Sequence, residues 1–169
     1  MPKKFIVDAC LALDAGSKDP PAKRGAMVRR FLIALYDAPH IVGFTTELEQ
    51  EWNKHSARFA RSWLKSMRSK GRVLRLSPQP IANLRDRTLA TAASDNIYDA
   101  MEKDWHLVEA ALDTDRKIAS SDDKARNYYV NAAASVRRLR PIVWVNPATE
   151  DLADWVANAD PEGADKRLG

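Results

Sequence analysis

The chain is expected to fold as an α/β domain, a three-layer α/β/α sandwich with a central parallel sheet. Three observations predict this. Short apolar runs alternate with amphipathic helical stretches along the whole sequence, a βαβα order that implies parallel strands covered by helices. The runs are continuous blocks such as Phe5-Ile6-Val7 and Ile142-Val143-Trp144-Val145, as expected of strands buried on both faces. A chain of 169 residues with 45% hydrophobic and 30% charged residues is large enough for one core and too apolar for disorder. One domain over residues 1–159 and a frayed tail over 160–169 are expected.

Phe5 to Leu13 reads as the first strand, and the Gly-, Ser-, Asp- and Pro-containing stretch Ala15 to Pro21 as a loop. From Ala22 to Tyr36, Met27, Val28, Phe31, Leu32 and Leu35 recur at helical spacing, with Lys23, Arg24, Arg29 and Arg30 on the other face. Pro39 ends that helix, and His40 to Phe44 is a second strand. Thr46 starts a long helix predicted to reach Lys70, with Gly71 as its stop. Val73 to Leu76 is a short extended piece. Ser77 to Asn96, carrying Pro78 and Pro80, reads as a variable connection with room for a short helix. Ile97 to Asp113 is helical, Lys117 to Ser121 a third core strand, and Asp123 to Leu139 an alanine-rich helix. Ile142 to Val145 is the last strand, Leu152 to Val156 a closing helix, and Pro161 to Gly169 is expected to fray.

Charge and cysteine content narrow the function. A net charge of +4 makes a polyanion partner plausible without establishing one. Cys10 is the single cysteine, so no internal disulfide forms and a reducing, cytoplasmic setting is expected. The start Met1-Pro2-Lys3-Lys4 followed by a short run broken at Asp8 reads neither as a signal peptide nor as a membrane span, so no membrane partner is expected. His40, His55 and His106 lie in separate elements without zinc spacing and do not suggest catalysis. No Gly-x-Ser-x-Gly turn, Gly-x-Gly-x-x-Gly or Walker loop is present.

The acidic residues carry the functional reading. Asp8 and Asp122 close two predicted strands, and open α/β sheets bind ligands beyond the carboxyl ends of their strands. Asp104 falls within the apolar arc of Ile97, Met101, Trp105, Val108 and Leu112, where a carboxylate is costly unless it is paired or metal-bound. A buried salt bridge to an arginine is the alternative. On the helix from Thr46, Leu48, Trp52, Phe59 and Trp63 define the core arc. Glu47 falls among basic residues, Glu49 completes a Thr-x-x-Glu capping box with Thr46, and Glu51 lies at the border of the apolar arc. The wheel favours Glu51. Asp123 competes with Asp122, since either can cap the following helix. Four carboxylates without cysteine or histidine partners suit Mg²⁺ or Mn²⁺, the usual apparatus for cutting phosphodiesters. A basic stripe on the same helix, Lys54, Arg58, Arg61, Lys65 and Arg68, reads as a solvated face or as a phosphate track leading from Glu51.

These residues together resemble the PIN domain, a family of metal-dependent nucleases. The likeness lies in Phe5-Ile6-Val7-Asp8, the Ser/Thr-started helix Thr45-Thr46-Glu47-Leu48-Glu49-Gln50-Glu51, the segment Asp104-Trp105-His106-Leu107-Val108-Glu109-Ala110-Ala111, and Ser120-Ser121-Asp122. It runs from about Lys3 to Trp155. The resemblance implies catalytic and metal-binding roles for Asp8, Glu51, Asp104 and Asp122, with Ser120 as a supporting hydroxyl. It implies hydrolysis of RNA to leave a 5′-phosphate, with Mg²⁺ or Mn²⁺ as cofactor. The leading expectation for its setting is the toxin of a toxin–antitoxin pair, with an antitoxin and a second copy in a homodimer as candidate partners. Alternatives are RNA processing, a structure-specific DNA nuclease, or a non-catalytic nucleic-acid or protein-binding module. The chain departs from the family in having Ala9 and Cys10 where many members carry Thr/Ser and then Asn, and it is longer than the compact VapC-type toxins through Ser77 to Asn96.

Overall fold

The computed structural model describes residues 1–18, 23–158, 161 and 163–169. Five strands form one all-parallel sheet: β1 (Lys4–Val7), β2 (Ile41–Phe44), β3 (Val73–Arg75), β4 (Lys117–Ala119) and β5 (Val143–Val145), in the order β3-β2-β1-β4-β5. The α/β/α expectation holds. Eight helices are seen among the described residues: α1 (Ala9–Asp14), α2 (Lys23–Asp37), α3 (Thr46–His55), α4 (Arg58–Ser69), α5 (Leu84–Leu89), α6 (Asp95–Leu112), α7 (Asp123–Ala133) and α8 (Ala153–Ala157). Helices α1, α2 and α4 pack among themselves, with α8 on α2, while α5, α6 and α7 pack on one another. The sheet lies between these two sets. Phe5, Ile6, Val7, Val42 and Ile118 are fully buried within it, which is why the strands read as continuous apolar blocks.

The chain leaves β1 toward β2 and β3 on one side, then returns to place β4 and β5 on the other. The order therefore reverses between β1 and β4, where diverging connections leave a crevice at the carboxyl ends. Backbone pairing continues one residue past both strands, with Asp8 N donating to Ala119 O at 2.9 Å and Ser120 N to Val145 O at 3.0 Å.

Several expected boundaries are corrected. The run Phe5 to Leu13 is a strand only to Val7, because Asp8 caps a helix whose residues Leu11 and Ala12 continue the apolar pattern. The expected helix from Thr46 to Lys70 is two helices. Ser56 and Ala57 are extended, with ψ of 132° and 163°, and Ala57 N donates to Ala12 O at 3.0 Å. The break presses Ala57 against Gly16, where a Cβ would stand 2.5 Å from that of Ala57. Gly71 ends α4 as expected: at φ +66°, its N–H donates to Arg68 O and that of Arg72 to Met67 O, a Schellman closure.

Thr45, rather than Thr46, caps α3, its hydroxyl accepting from Leu48 N at 3.2 Å. The proposed Thr46–Glu49 box is thereby displaced, and Glu49 instead pairs with Arg68 at 2.7 Å. The expected helix from Asp123 stops at Ala133, and Arg137–Leu139 form a separate 3-10 turn. The start of the second helix at Ala22, the end of the preceding loop, and residues 159, 160 and 162 lie outside the described residues.

The tail expected to fray is held. Leu168 is buried and its N–H donates to Ile142 O at 2.9 Å, and Arg167 bridges Val143. The buried Lys117 ammonium donates to Pro161 O at 2.6 Å. His40 is likewise structural. Lys3 N donates to its Nδ1 at 3.1 Å, so Nε2 carries the proton and donates to Val156 O at 2.8 Å. Burial holds its pKa below the usual histidine value. The unfolded chain then binds the proton more readily, so stability is lost as pH falls below about 6.5 toward the folded-state pKa. In urea titrations at pH 7 and pH 5, His40→Gln should lose less stability between the two than the unsubstituted chain. An equal loss in both would remove His40 as the cause.

Candidate functional site

The crevice at the β1–β4 switch opens into a cleft of about 750 Å³ whose walls include Asp8, Glu47, Glu51, Lys54, Lys103, Asp104, His106 and Asp122. All four carboxylates singled out from the sequence face this one cavity. Four different elements deliver them: Asp8 and Asp122 follow β1 and β4, Glu51 comes from α3, and Asp104 from α6.

Asp8 is the most firmly fixed. Its carboxylate caps α1, accepting from Cys10 N at 3.4 Å and Cys10 Sγ at 3.0 Å, and the Ser120 hydroxyl donates to Oδ2 at 2.6 Å. Ser120 is fully buried and its oxygen accepts from Asp122 N at 3.1 Å. One hydroxyl therefore ties both strand ends together, a positioning role. Cys10 bonds to Asp8 and its sulfur accepts from Ser121 N at 3.2 Å. Burial and the neighbouring Asp8 push its thiol up, so it acts as a neutral donor.

Asp122 caps α7 through Ala125 N at 2.9 Å, leaving its exposed side toward the cleft. Asp123 turns away and accepts from Asn146 Nδ2 at 2.9 Å, which decides between the two.

Asp104 is partly buried and forms no ion pair among the described residues, so the arginine salt bridge considered as its alternative is not made. Burial first, then the charges of Asp8 and Asp122, push its pKa up to about 6 against the opposing pull of Lys103 and His106.

Glu51 meets a partner that the sequence did not reveal. His106 Nε2 lies 3.4 Å from Glu51 Oε2, while His106 Nδ1 is 3.0 Å from Lys103 O. The Nε2 atom is buried and has no hydrogen bond of good geometry. Glu47, Gln50, His55 and Lys103 also line the cleft and were not among the chosen site residues. The one available signal was the four-residue spacing of Glu47 and Glu51, which puts both on one helix face. His106 could not be read, because α3 and α6 meet only in three dimensions.

The basic stripe does not survive as one feature. Lys54 belongs to α3 and lines the cleft, whereas Arg58, Arg61, Lys65 and Arg68 belong to α4. Arg61 donates to Ser56 O, and Arg68 is held by Glu49. Glu51 therefore does not head the helix that carries those four residues, and the geometry assumed for a phosphate track on a single helix is corrected.

Among the described residues, no three Asp, Glu, His or Cys side chains are gathered closely enough to hold an ion as they stand. No helix among them is long and apolar enough to cross a membrane. No family model matches the chain, and searches of curated proteins and of solved structures return no match.

Proposed function

We propose that the chain is a divalent-metal-dependent nuclease that hydrolyses RNA phosphodiesters in this cleft. One observation carries the reading: Asp8, Asp104 and Asp122 converge at the strand-order switch with no cation paired to any of them among the described residues. Asp8 and Asp104 are partly buried, where a carboxylate is ordinarily paired, and Asp122 is exposed to the cleft. The donor set is oxygen-rich, the chemistry that suits Mg²⁺ or Mn²⁺, and the raised pKa of Asp104 agrees with a site short of positive charge. Asp8, Asp104 and Asp122 would hold the ion, with Glu51 at the margin. A bound divalent ion supplies charge neutralisation at the phosphate and a more acidic water.

The chain's own residues do the rest. Ser120 and Cys10 fix the Asp8 carboxylate, so that little ordering is left for the ligand-bound state. His106 stands beside Glu51, its Nε2 3.4 Å from Oε2. Lys54 and Lys103, which line the same cleft as the acids, suit the phosphates that flank the scissile bond.

Mg²⁺ or Mn²⁺ should support cleavage of single-stranded or structured RNA by the purified protein, and EDTA should stop it. Calorimetric titration with Mn²⁺ should show binding that Asp8→Asn weakens by at least tenfold, since removing one charged ligand costs more than a kilocalorie. Undiminished cleavage in EDTA, or absent Mn²⁺ binding, would overturn the metal mechanism.

A further inference from the structure

The charge of the chain is unevenly placed. Residues 52–75, from the end of α3 through α4 to β3, carry eight lysines and arginines and no aspartate or glutamate. The rest of the chain holds 19 of the 27 basic side chains against all 23 acidic ones, so it is net negative. From this asymmetry we propose that the exposed face of α4 is a backbone-binding track for RNA. The strand leaves the cleft at the α3–α4 corner and is held along α4 without its sequence being read. The proposal rests on the nuclease reading above.

Topology sets the course of the track. All five strands are parallel, so α4, which leads into β3, must carry the chain from the carboxyl ends of the sheet back to the amino end of β3. Its first turn therefore lies nearest the cleft, just after Lys54 and His55, which line that cavity, and its last turn lies farthest away. Arg58, Arg61, Lys65 and Arg68 recur every three or four residues and are all exposed, so they share one face over a length of about 15 Å. The track is not a single helix: it starts from Lys54 at the rim of the cleft and crosses the break at Ser56 and Ala57 to Arg58.

Little on this face is neutralised. Among the described residues Glu49 is the one carboxylate that reaches it, shared between Arg68 at 2.7 Å and Arg75 at 3.7 Å. Lys54, Arg58 and Lys65 have no ion-pair partner among them. Lys70 and Arg72 turn instead toward the ring and carbonyl of Tyr36 and the carbonyl of Ala38, and stand outside the track. The surface chemistry then selects the partner. Serines 62, 66 and 69 stand between the cations, and no large apolar side chain of α4 is exposed, since Ala60, Trp63, Leu64 and Met67 are buried in the core. Protein interfaces are built on aromatic and aliphatic anchors with lysine depleted, and membrane-surface helices keep an apolar face for lipid. α4 offers neither. Arginine, lysine and hydroxyl groups are the usual partners of phosphate oxygens, and they position a strand without reading bases. With no exposed aromatic ring on α4 for stacking, base identity has little to act on.

The test is binding without catalysis. Labelled tetrauridylate, dodecauridylate and dodecacytidylate are titrated with the full chain in EDTA at several salt concentrations and followed by anisotropy. Dodecauridylate should bind about tenfold tighter than tetrauridylate, and within about threefold of dodecacytidylate. Each phosphate contact on a single strand adds about 0.7 to the slope of log affinity against log salt. Arg58→Ala together with Lys65→Ala should therefore flatten the dodecauridylate slope by about 1.4 and leave stability in urea unchanged. Arg137→Ala together with Arg138→Ala removes the same charge from an exposed turn beside α7, and should leave slope and affinity as they are. Equal slopes for the two double variants, no dependence on length, or no binding of any oligomer would overturn the track. Displacement of the RNA by polyglutamate as readily as by unlabelled dodecauridylate would also overturn it and give the face to an acidic protein. The two readings fail separately. Track binding without cleavage in Mg²⁺ or Mn²⁺ keeps the track and sinks the nuclease, whereas cleavage with binding indifferent to Arg58 and Lys65 sinks only the track.

Discussion

Asp104→Asn should abolish RNA cleavage and yet stabilise the metal-free protein above pH 6. The substitution keeps size and shape while removing the charge that burial, Asp8 and Asp122 all disfavour. The sign follows from linkage. With its pKa raised from 3.8 to about 6, the folded state binds the proton more tightly than the unfolded chain. Stability therefore falls as pH rises through that window, and the whole cost is present above it. The two pKa values correspond to at most about 3 kcal/mol, and solvent reaching this partly exposed group reduces that to about 1–2 kcal/mol. Urea denaturation at pH 8 should show Asp104→Asn more stable by that amount, and at pH 4 most of the gain should be gone. Adding Mn²⁺ should reverse the order, since ligand binding to the native state stabilises only the chain that binds it. A loss of about 3–5 kcal/mol instead, with cleavage retained, would mean that Asp104 is half of a buried ion pair.

Trp52→Ala should cost about 3–5 kcal/mol, a large part of the stability of a domain this size. Trp52 is 1% exposed, stacked on Trp63 at 5.8 Å and set edge-on to Phe44 at 5.4 Å. Its indole N–H donates to Val7 O at 2.8 Å, one residue before Asp8. The same side chain thus fills the core beside the sheet and couples α3, which bears Glu51, to the strand that bears Asp8. Trp52→Phe restores most of the volume and loses the hydrogen bond, for a cost of about 1–2 kcal/mol. Its effect on cleavage should exceed its effect on folding, because Glu51 and Asp8 lose a common anchor. A Trp52→Ala variant within 1 kcal/mol of the unsubstituted chain in urea would refute this account.

Asp104 shows how much of the site was legible in one dimension. A carboxylate within the arc of Met101, Trp105 and Val108 breaks the helix pattern, and such a break needs a reason that no surface residue needs. Asp8 and Asp122 were legible through strand ends, since the apolar runs before them are blocks that only a parallel sheet buries on both faces. Asp122 over Asp123, by contrast, required Asn146 from beyond β5 to engage one of two adjacent aspartates. The long helix from Thr46 was misread because nothing local breaks it. Leu48, Trp52, Phe59 and Trp63 keep a helical period across Ser56 and Ala57, and the break comes from the backbone of Ala12 and the close approach of Gly16.

Local pattern by itself determined the α/β class and the parallel sheet and singled out the four acids as candidates, because each is written in the spacing of neighbouring residues. Tertiary structure alone decided that those acids face one cleft, that His106 meets Glu51 across α3 and α6, and that four of the five basic residues lie on a different helix from Glu51. Those facts depend on contacts between segments tens of residues apart, and periodicity carries no information about which distant face a residue will meet.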